Sequence, residues 1–256
     1  MTREESLVRK TILITGASSG LGEEMAHQFA ARGHDLALCA RRTDRLEALK
    51  ASIAAEHPDV RVEVRALDVN DHDQVFEVFR AFRADFGTLD RVIVNAGLGK
   101  GAPLGTGRFD ANRETAVTNF IGALAQTEAA LEIFRDQDAG HLVMISSMSA
   151  MRGMPGTVTT YAATKAGDAH LAEGVRADVM GTPITVSVIY PGYIRSEMNE
   201  KVKNAPFIVS TEKGVAAIVD AVEKEKASAH VPAWPWVPLG LAFKHLPLPL
   251  ARRLMG

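Results

Sequence analysis

The sequence predicts an α/β protein built on a doubly wound parallel sheet of about seven strands, with helices on both faces. Two observations predict it. Short apolar runs alternate with longer helical patterns along the chain, and a glycine cluster joins the first run to the first helix. Several runs are apolar without interruption, as expected of strands covered on both faces.

The runs occupy 10–15, 35–40, 61–67, 89–94, 141–146 and 184–190. Helix-like periodicity fills much of the space between them, notably at 44–56, 74–86 and 115–134. Parallel strands joined through helices cross over right-handedly, which places successive helices against the sheet. Gly33 follows the first helical pattern and reads as its C-cap. No linker or repeat interrupts the chain before about residue 230, so one domain is expected over 1–256. Its end, from about 231, is an extension rich in Pro, Trp and Leu.

A formal charge of −2 over 256 residues excludes a general nucleic-acid binder, which carries a basic excess. The single cysteine, Cys39, sits in an apolar run and reads as a buried small hydrophobe. The first ten residues lack the apolar core of a secretory signal. No stretch reaches the roughly 20 apolar residues of a membrane span. A cytoplasmic protein is expected.

The first strand runs into Gly16-Ala17-Ser18-Ser19-Gly20-Leu21-Gly22, and a helical pattern begins at Glu23. Glycines there permit a tight turn and close approach of backbone to a pyrophosphate, which the helix N-terminus then attracts. The G-x-x-x-G-x-G spacing differs from the commoner G-x-G-x-x-G. After the second strand come Arg41 and Arg42, where an enzyme using NAD carries an acidic residue. Guanidinium groups suit a 2′-phosphate, so NADP(H) is expected over NAD(H). Asp68-Val69 and Asn95-Ala96-Gly97 end the third and fourth strands on the same sheet edge. Asp68 suits either an adenine amino group or the cap of the next helix. Asn95 and Gly97 suit either bracing of the glycine loop or contact with a ribose.

Tyr161 and Lys165 stand four residues apart in a helical pattern, so both project from one face. An ordinary tyrosine ionises near pH 10, and a neighbouring cation favours its phenolate. Ser147, at the end of the fifth strand, is the hydroxyl that could position a substrate oxygen.

Together these residues resemble the short-chain dehydrogenase/reductase family, in its single-domain, Rossmann-type branch, across residues 10 to about 230. Thr15 to Gly22 match its T-G-x-x-x-G-x-G, and Asn95-Ala96-Gly97 match the end of its N-N-A-G, with Val94 replacing the first Asn. Ser147, Tyr161 and Lys165 match its serine and Y-x-x-x-K, and Asn119 a helical asparagine of its tetrad. Pro191-Gly192-Tyr193-Ile194-Arg195-Ser196 is similar to the stretch before its substrate loop, with Ser196 in place of the usual threonine. Ser147 lies one residue further from Tyr161 than the family pattern, which places an insertion between Pro155 and Tyr161; Ser146 and Ser149 are alternatives.

The resemblance implies hydride exchange between nicotinamide and a carbonyl or secondary alcohol. Tyr161 serves as acid/base, Lys165 holds the nicotinamide ribose, Ser147 orients the reacting oxygen, and Asn119 holds a water. With the residue reading above, it gives Gly16, Ser18, Ser19, Gly20, Leu21, Gly22, Arg41, Arg42, Asp68, Val69, Asn95, Ala96, Gly97, Tyr161, Lys165, Pro191, Gly192, Ile194 and Ser196 as the cofactor set, with no metal. A sensor of NADP(H) on the same fold is the alternative. The substrate is expected among 103–108, 148–155 and 197–210, whose Met198, Phe207 and Ile208 suggest a lipophilic compound. A homodimer or homotetramer is expected. The tail at 234–254 reads either as packing between subunits or as a contact with a membrane surface.

Overall fold

The computed structural model describes residues 9–197 and 207–254. Residues 198–206, including Met198 of the expected substrate segment, lie outside the described residues. Seven parallel strands form one sheet: β1 (Thr11–Thr15), β2 (Asp35–Ala40), β3 (Val62–Ala66), β4 (Arg91–Val94), β5 (Gly140–Ile145), β6 (Ile184–Pro191) and β7 (Ser228–Val231). Their order is β3-β2-β1-β4-β5-β6-β7. The direction of winding reverses between β1 and β4, which opens a crevice at their carboxyl ends.

Side-chain alternation builds a core on each face. Ile12, Ile14, Leu36, Leu38, Ile93, Val143 and Ile145 face α1 (Gly20–Ala30), α2 (Thr43–Glu56) and α7 (Thr211–Glu223). Leu13, Ala37, Cys39, Val92, Val94, Leu142 and Met144 face α3 (His72–Phe86), α5 (Gly122–Asp136) and α6 (Thr159–Asp178). Burial pushes the Cys39 thiol pKa far up, so it packs as a small hydrophobe.

Gly33 adopts φ 82° in a Schellman pairing, with Gly33 N–H donating to Ala30 O and His34 N–H to Phe29 O. The structure departs from the sequence reading in three elements. Helix α1 starts at Gly20 rather than Glu23, because the glycine turn itself supplies its first residues. The expected helix over 115–134 is two helices, α4 (Phe109–Ala116) and α5, joined by a π-turn at Val117–Ile121 that contains Asn119. The cap of α3 is Asp71, whose Oδ1 accepts from Gln74 N at 3.1 Å, not Asp68. The tail folds as α8 (Ala233–His245) and α9 (Leu248–Leu254). Among the described residues no helix is long and apolar enough to cross a membrane.

Candidate active site

Thr15 ends β1 and ties two loops together. Its Oγ1 accepts from Asn95 N and Ala96 N at 3.0 Å each, and Asn95 Nδ2 donates to Thr15 O at 2.8 Å. Gly16 (φ 66°) and Gly20 (φ 58°) take left-handed backbone, which glycine adopts without penalty. A Cβ on Gly16 would stand 2.9 Å from Ala96 Cα, so the two loops touch only because residue 16 has no side chain. Of the two roles open to Asn95, its amide group takes the bracing one.

Ser19 precedes α1 without giving it a side-chain cap, so the first-turn N–H groups keep their capacity for an anion. Gly22 and Leu21 lie inside that turn. Arg42 reaches back to the loop, with Nε donating to Ser18 Oγ at 3.2 Å and Nη2 to Ser19 Oγ at 2.5 Å. Its Nη1 meets Glu197 at 3.2 Å, and Arg45 meets the other oxygen of Glu197 at 2.5 Å. The Arg45 bond, with Arg42 adding to it, holds the Glu197 carboxyl below its ordinary range. Arg41 is exposed beside them. A left-handed glycine turn, an uncapped helix start and a guanidinium bound to the turn suit a phosphorylated dinucleotide.

Asp68 Oδ1 accepts from Asn70 N at 3.0 Å, closing a turn over its own backbone, and Val69 packs against Gly122 at the start of α5. Neither residue hydrogen-bonds the glycine loop. Ser196 lies beside Gly20, where a Cβ would come within 3.4 Å of the serine Cβ. Ile194 is buried and fills the space left by Gly214 of α7. Gly192 N–H donates to Val231 O at 2.9 Å, and the Trp236 indole occupies the space a side chain on Gly192 would need.

Tyr161 and Lys165 share a face of α6, Tyr161 half-buried and Lys165 buried. Lys165 Nζ donates to Ile145 O at 2.9 Å and to Asp168 Oδ2 at 3.0 Å. Asp168 is fully buried and its Oδ1 has no partner. Burial pushes its carboxyl pKa up, and the Lys165 ammonium opposes that rise. Sequence reasoning missed Asp168; its only signal was an acid three residues after Lys165 on the same helix. Asn119 Oδ1 accepts from Leu98 N at 2.7 Å, while Nδ2 donates to Leu98 O and Thr164 Oγ1. Both amide protons are therefore spent on holding the loop after β4 against α6. A Cβ on Gly97 would be 3.3 Å from Asn119 Oδ1 and 3.8 Å from Lys165 Nζ, so that loop, the π-turn and α6 converge.

The three serines after β5 separate cleanly. Ser146 is buried and its hydroxyl donates to Lys165 O at 2.7 Å. Ser147 is half-buried and its Oγ accepts from Ser149 N at 3.2 Å, which leaves its own proton to give. Ser149 Oγ is buried without a partner. A short 3₁₀ turn at Gly156–Val158 fills the interval in which the sequence reading placed one extra residue.

Residues 10–206 match the family model described as short chain dehydrogenase. An uncharacterized oxidoreductase of Mycobacterium tuberculosis is 51% identical over 247 residues, covering 96% of this chain and 98% of the relative. An Arabidopsis thaliana protein named 11-beta-hydroxysteroid dehydrogenase 1A is 34% identical, covering 90% of this chain and 70% of the relative. Among solved structures, an alcohol dehydrogenase from Thermococcus sibiricus complexed with 5-hydroxy-NADP has a TM-score of 0.77 at 25% identity, covering 86% of this chain and 95% of that one. The fold is one that binds nicotinamide cofactors, and the chain is an oxidoreductase acting on CH–OH or C=O groups of small molecules. It belongs to the short-chain dehydrogenase family.

Proposed function

We propose that the chain is an NADP(H)-dependent reductase of a lipophilic ketone, or dehydrogenase of the matching secondary alcohol, with Tyr161 as its acid/base. The observation that carries this reading is convergence at one sheet edge. Lys165, one helical turn from Tyr161 on α6, adjoins Gly97, which Asn119 also approaches, and the loop bearing Gly97 is the one Thr15 and Asn95 tie to the glycine turn.

Bound nicotinamide supplies or accepts the hydride. The chain's own residues handle binding and the proton. Ser147 donates to the substrate oxygen and orients it toward Tyr161. In reduction the Tyr161 hydroxyl gives its proton to that oxygen; in oxidation the phenolate takes it back. Lys165, fixed by Asp168 and Ile145 O, keeps one ammonium proton for the nicotinamide ribose. Asn119 acts through Leu98 and Thr164, setting the floor on which Lys165 lies. Arg41 and Arg42 take the 2′-phosphate, Arg42 exchanging its bond to Glu197 for one to the ligand. Ser18, Ser19, Gly20 and Leu21 cradle the pyrophosphate at the start of α1.

The lipophilic substrate is supported by the apolar side chains gathered beside the segment after β6, Trp236 on Gly192, Phe207 against Trp236 and Met148 on Gly240, and by the steroid in the Arabidopsis relative's name. A homodimer or homotetramer is the assembly the family resemblance implies. The test is loss of NADPH absorbance with a panel of ketones. Tyr161→Phe should lower turnover about a thousandfold while cofactor affinity holds. Equal turnover in the variant would refute the assignment.

A further inference from the structure

We propose that the outer face of α8 and α9 is a docking surface for an anionic phospholipid bilayer. Helix α8 has two unlike sides. Its inner side carries Trp236 and Gly240, the first over Gly192 and the second beside Met148 and His230. On its outer side every exposed residue from 233 to 242 is apolar. Five of the eleven large apolar side chains exposed among the described residues fall in this tail: Trp234 at 78%, Val237, Leu241 at 61%, Leu248 and Leu250. Ten consecutive residues of water-facing helix, 233–242, without a polar side chain are the mark of a face that something covers.

Charge selects the occupant. Lys244, Arg252 and Arg253 are exposed on the same tail, and no carboxylate side chain follows Glu225 in the sequence. The chain as a whole is slightly acidic, so this cationic, acid-free segment runs against its average. A second copy meeting the patch tail to tail across a two-fold axis would add a second set of the same cations and no carboxylate side chain from its own tail. An anionic headgroup layer neutralises all of them, while Trp234 and the leucines enter the boundary between headgroups and acyl chains. Because the inner side of α8 lines the segment after β6, a docked bilayer stands directly behind the wall of the candidate site. An oily substrate then needs no passage through bulk water.

The test needs no turnover. Purified protein is mixed with phosphatidylcholine vesicles, with or without phosphatidylglycerol, and separated by flotation. Flotation should require phosphatidylglycerol, and the triple variant Lys244→Glu, Arg252→Glu, Arg253→Glu should bind at least about tenfold more weakly. Leu241→Gln should also weaken binding, while circular dichroism reports that each variant is folded. Trp234 is the only exposed tryptophan, since Trp236 is 4% exposed, so its emission should shift to the blue on vesicles and Trp234→Phe should lose the shift. Absence of flotation overturns the proposal, as does binding that the triple variant leaves unchanged. So does a Leu241→Gln variant that changes oligomeric state with no change at vesicles, because a second copy then covers the face.

Discussion

The two edges of the sheet bury charge in opposite ways. At the amino edge, Arg91 opens β4 and is almost wholly buried, yet each of its neighbours answers it. Its guanidinium bonds Glu223, and Nε donates to His141 Nδ1 at 2.9 Å. With Nδ1 accepting, His141 carries its proton on Nε2 and gives it to Ser187 Oγ at 2.8 Å. Arg9 pairs with Glu225 at 2.8 Å beside them. At the carboxyl edge, Asp168 holds Lys165 but keeps one oxygen without a partner, and Arg42 shares an exposed glutamate with Arg45. A closed network suits a region that only has to hold together. An open one suits a region that has to exchange partners with ligands.

That contrast breaks if charges at the amino edge matter to turnover. Arg91→Met removes the cation and leaves Glu223 and His141 facing each other without it. The expected loss is about 3 kcal/mol of stability, near the low end for a broken buried pair because Glu223 is partly exposed. Urea denaturation measures it, and turnover per folded molecule should stay within about twofold of the parent, since Arg91 lies at the far end of the strands. A parallel collapse of turnover in folded protein would erase the distinction between the edges.

The carboxyl edge should respond the other way, in kinetics rather than stability. Replacing Arg41 and Arg42 together by Ala should raise the KM for NADPH about thirtyfold, roughly 2 kcal/mol, and leave that for NADH nearly unchanged. Equal losses with both cofactors would refute the 2′-phosphate contact. Asp168→Asn keeps the shape but removes the counter-charge of Lys165. About a tenfold fall in kcat/KM is expected, near 1.4 kcal/mol, with a smaller loss of stability than Arg91→Met because the asparagine oxygen still accepts from Lys165. An unchanged rate would make Asp168 a bystander.

How far these features were legible follows from what each one depends on. The six strands that read as apolar runs lie where the runs are: burial on both faces keeps the centres of β1, β2, β4 and β5 apolar, while β3, at one edge, alternates as Val-Glu-Val-Arg. β7 reads Ser-Ala-His-Val and sits at the sheet's edge, where one neighbour and small side chains erase the pattern. The π-turn at Asn119 is invisible because the apolar period runs through it, and only the backbone hydrogen bonds change step. That Tyr161 and Lys165 share a helix face was legible from their spacing, but only the glycine loop and the serine after β5 made the pair more than a helix face. Asp168 was not legible, since an acid in a helix ordinarily faces water and only the packing of α6 shows that this one does not. Arg42 was half legible: its charge pointed to phosphate, but its bonds to Ser18 and Ser19 required the fold.

The finest difference between the edges lies in acid. Burial, with Arg91 adding to it, pushes the His141 pKa down to about 3, so the folded protein keeps this ring neutral where the unfolded chain protonates it near pH 6.5. The unfolded state then binds more protons, and stability present above pH 6.5 is lost as pH falls from there toward 3. Glu223 opens a second window. Its bonds to His34 and Arg91 outweigh burial and hold its pKa at about 2, so its contribution is present above 4.5 and fades only as pH falls from 4.5 toward 2. His141→Gln keeps an acceptor for Arg91 and a donor for Ser187 while removing the titration. At pH 6 the native histidine should cost about 0.8 kcal/mol relative to pH 8, and the variant nothing. Denaturation curves at the two pH values measure this. If the variant loses as much as the parent, the ring is not the group that takes up the proton, and the amino edge is not closed in the way its hydrogen bonds describe.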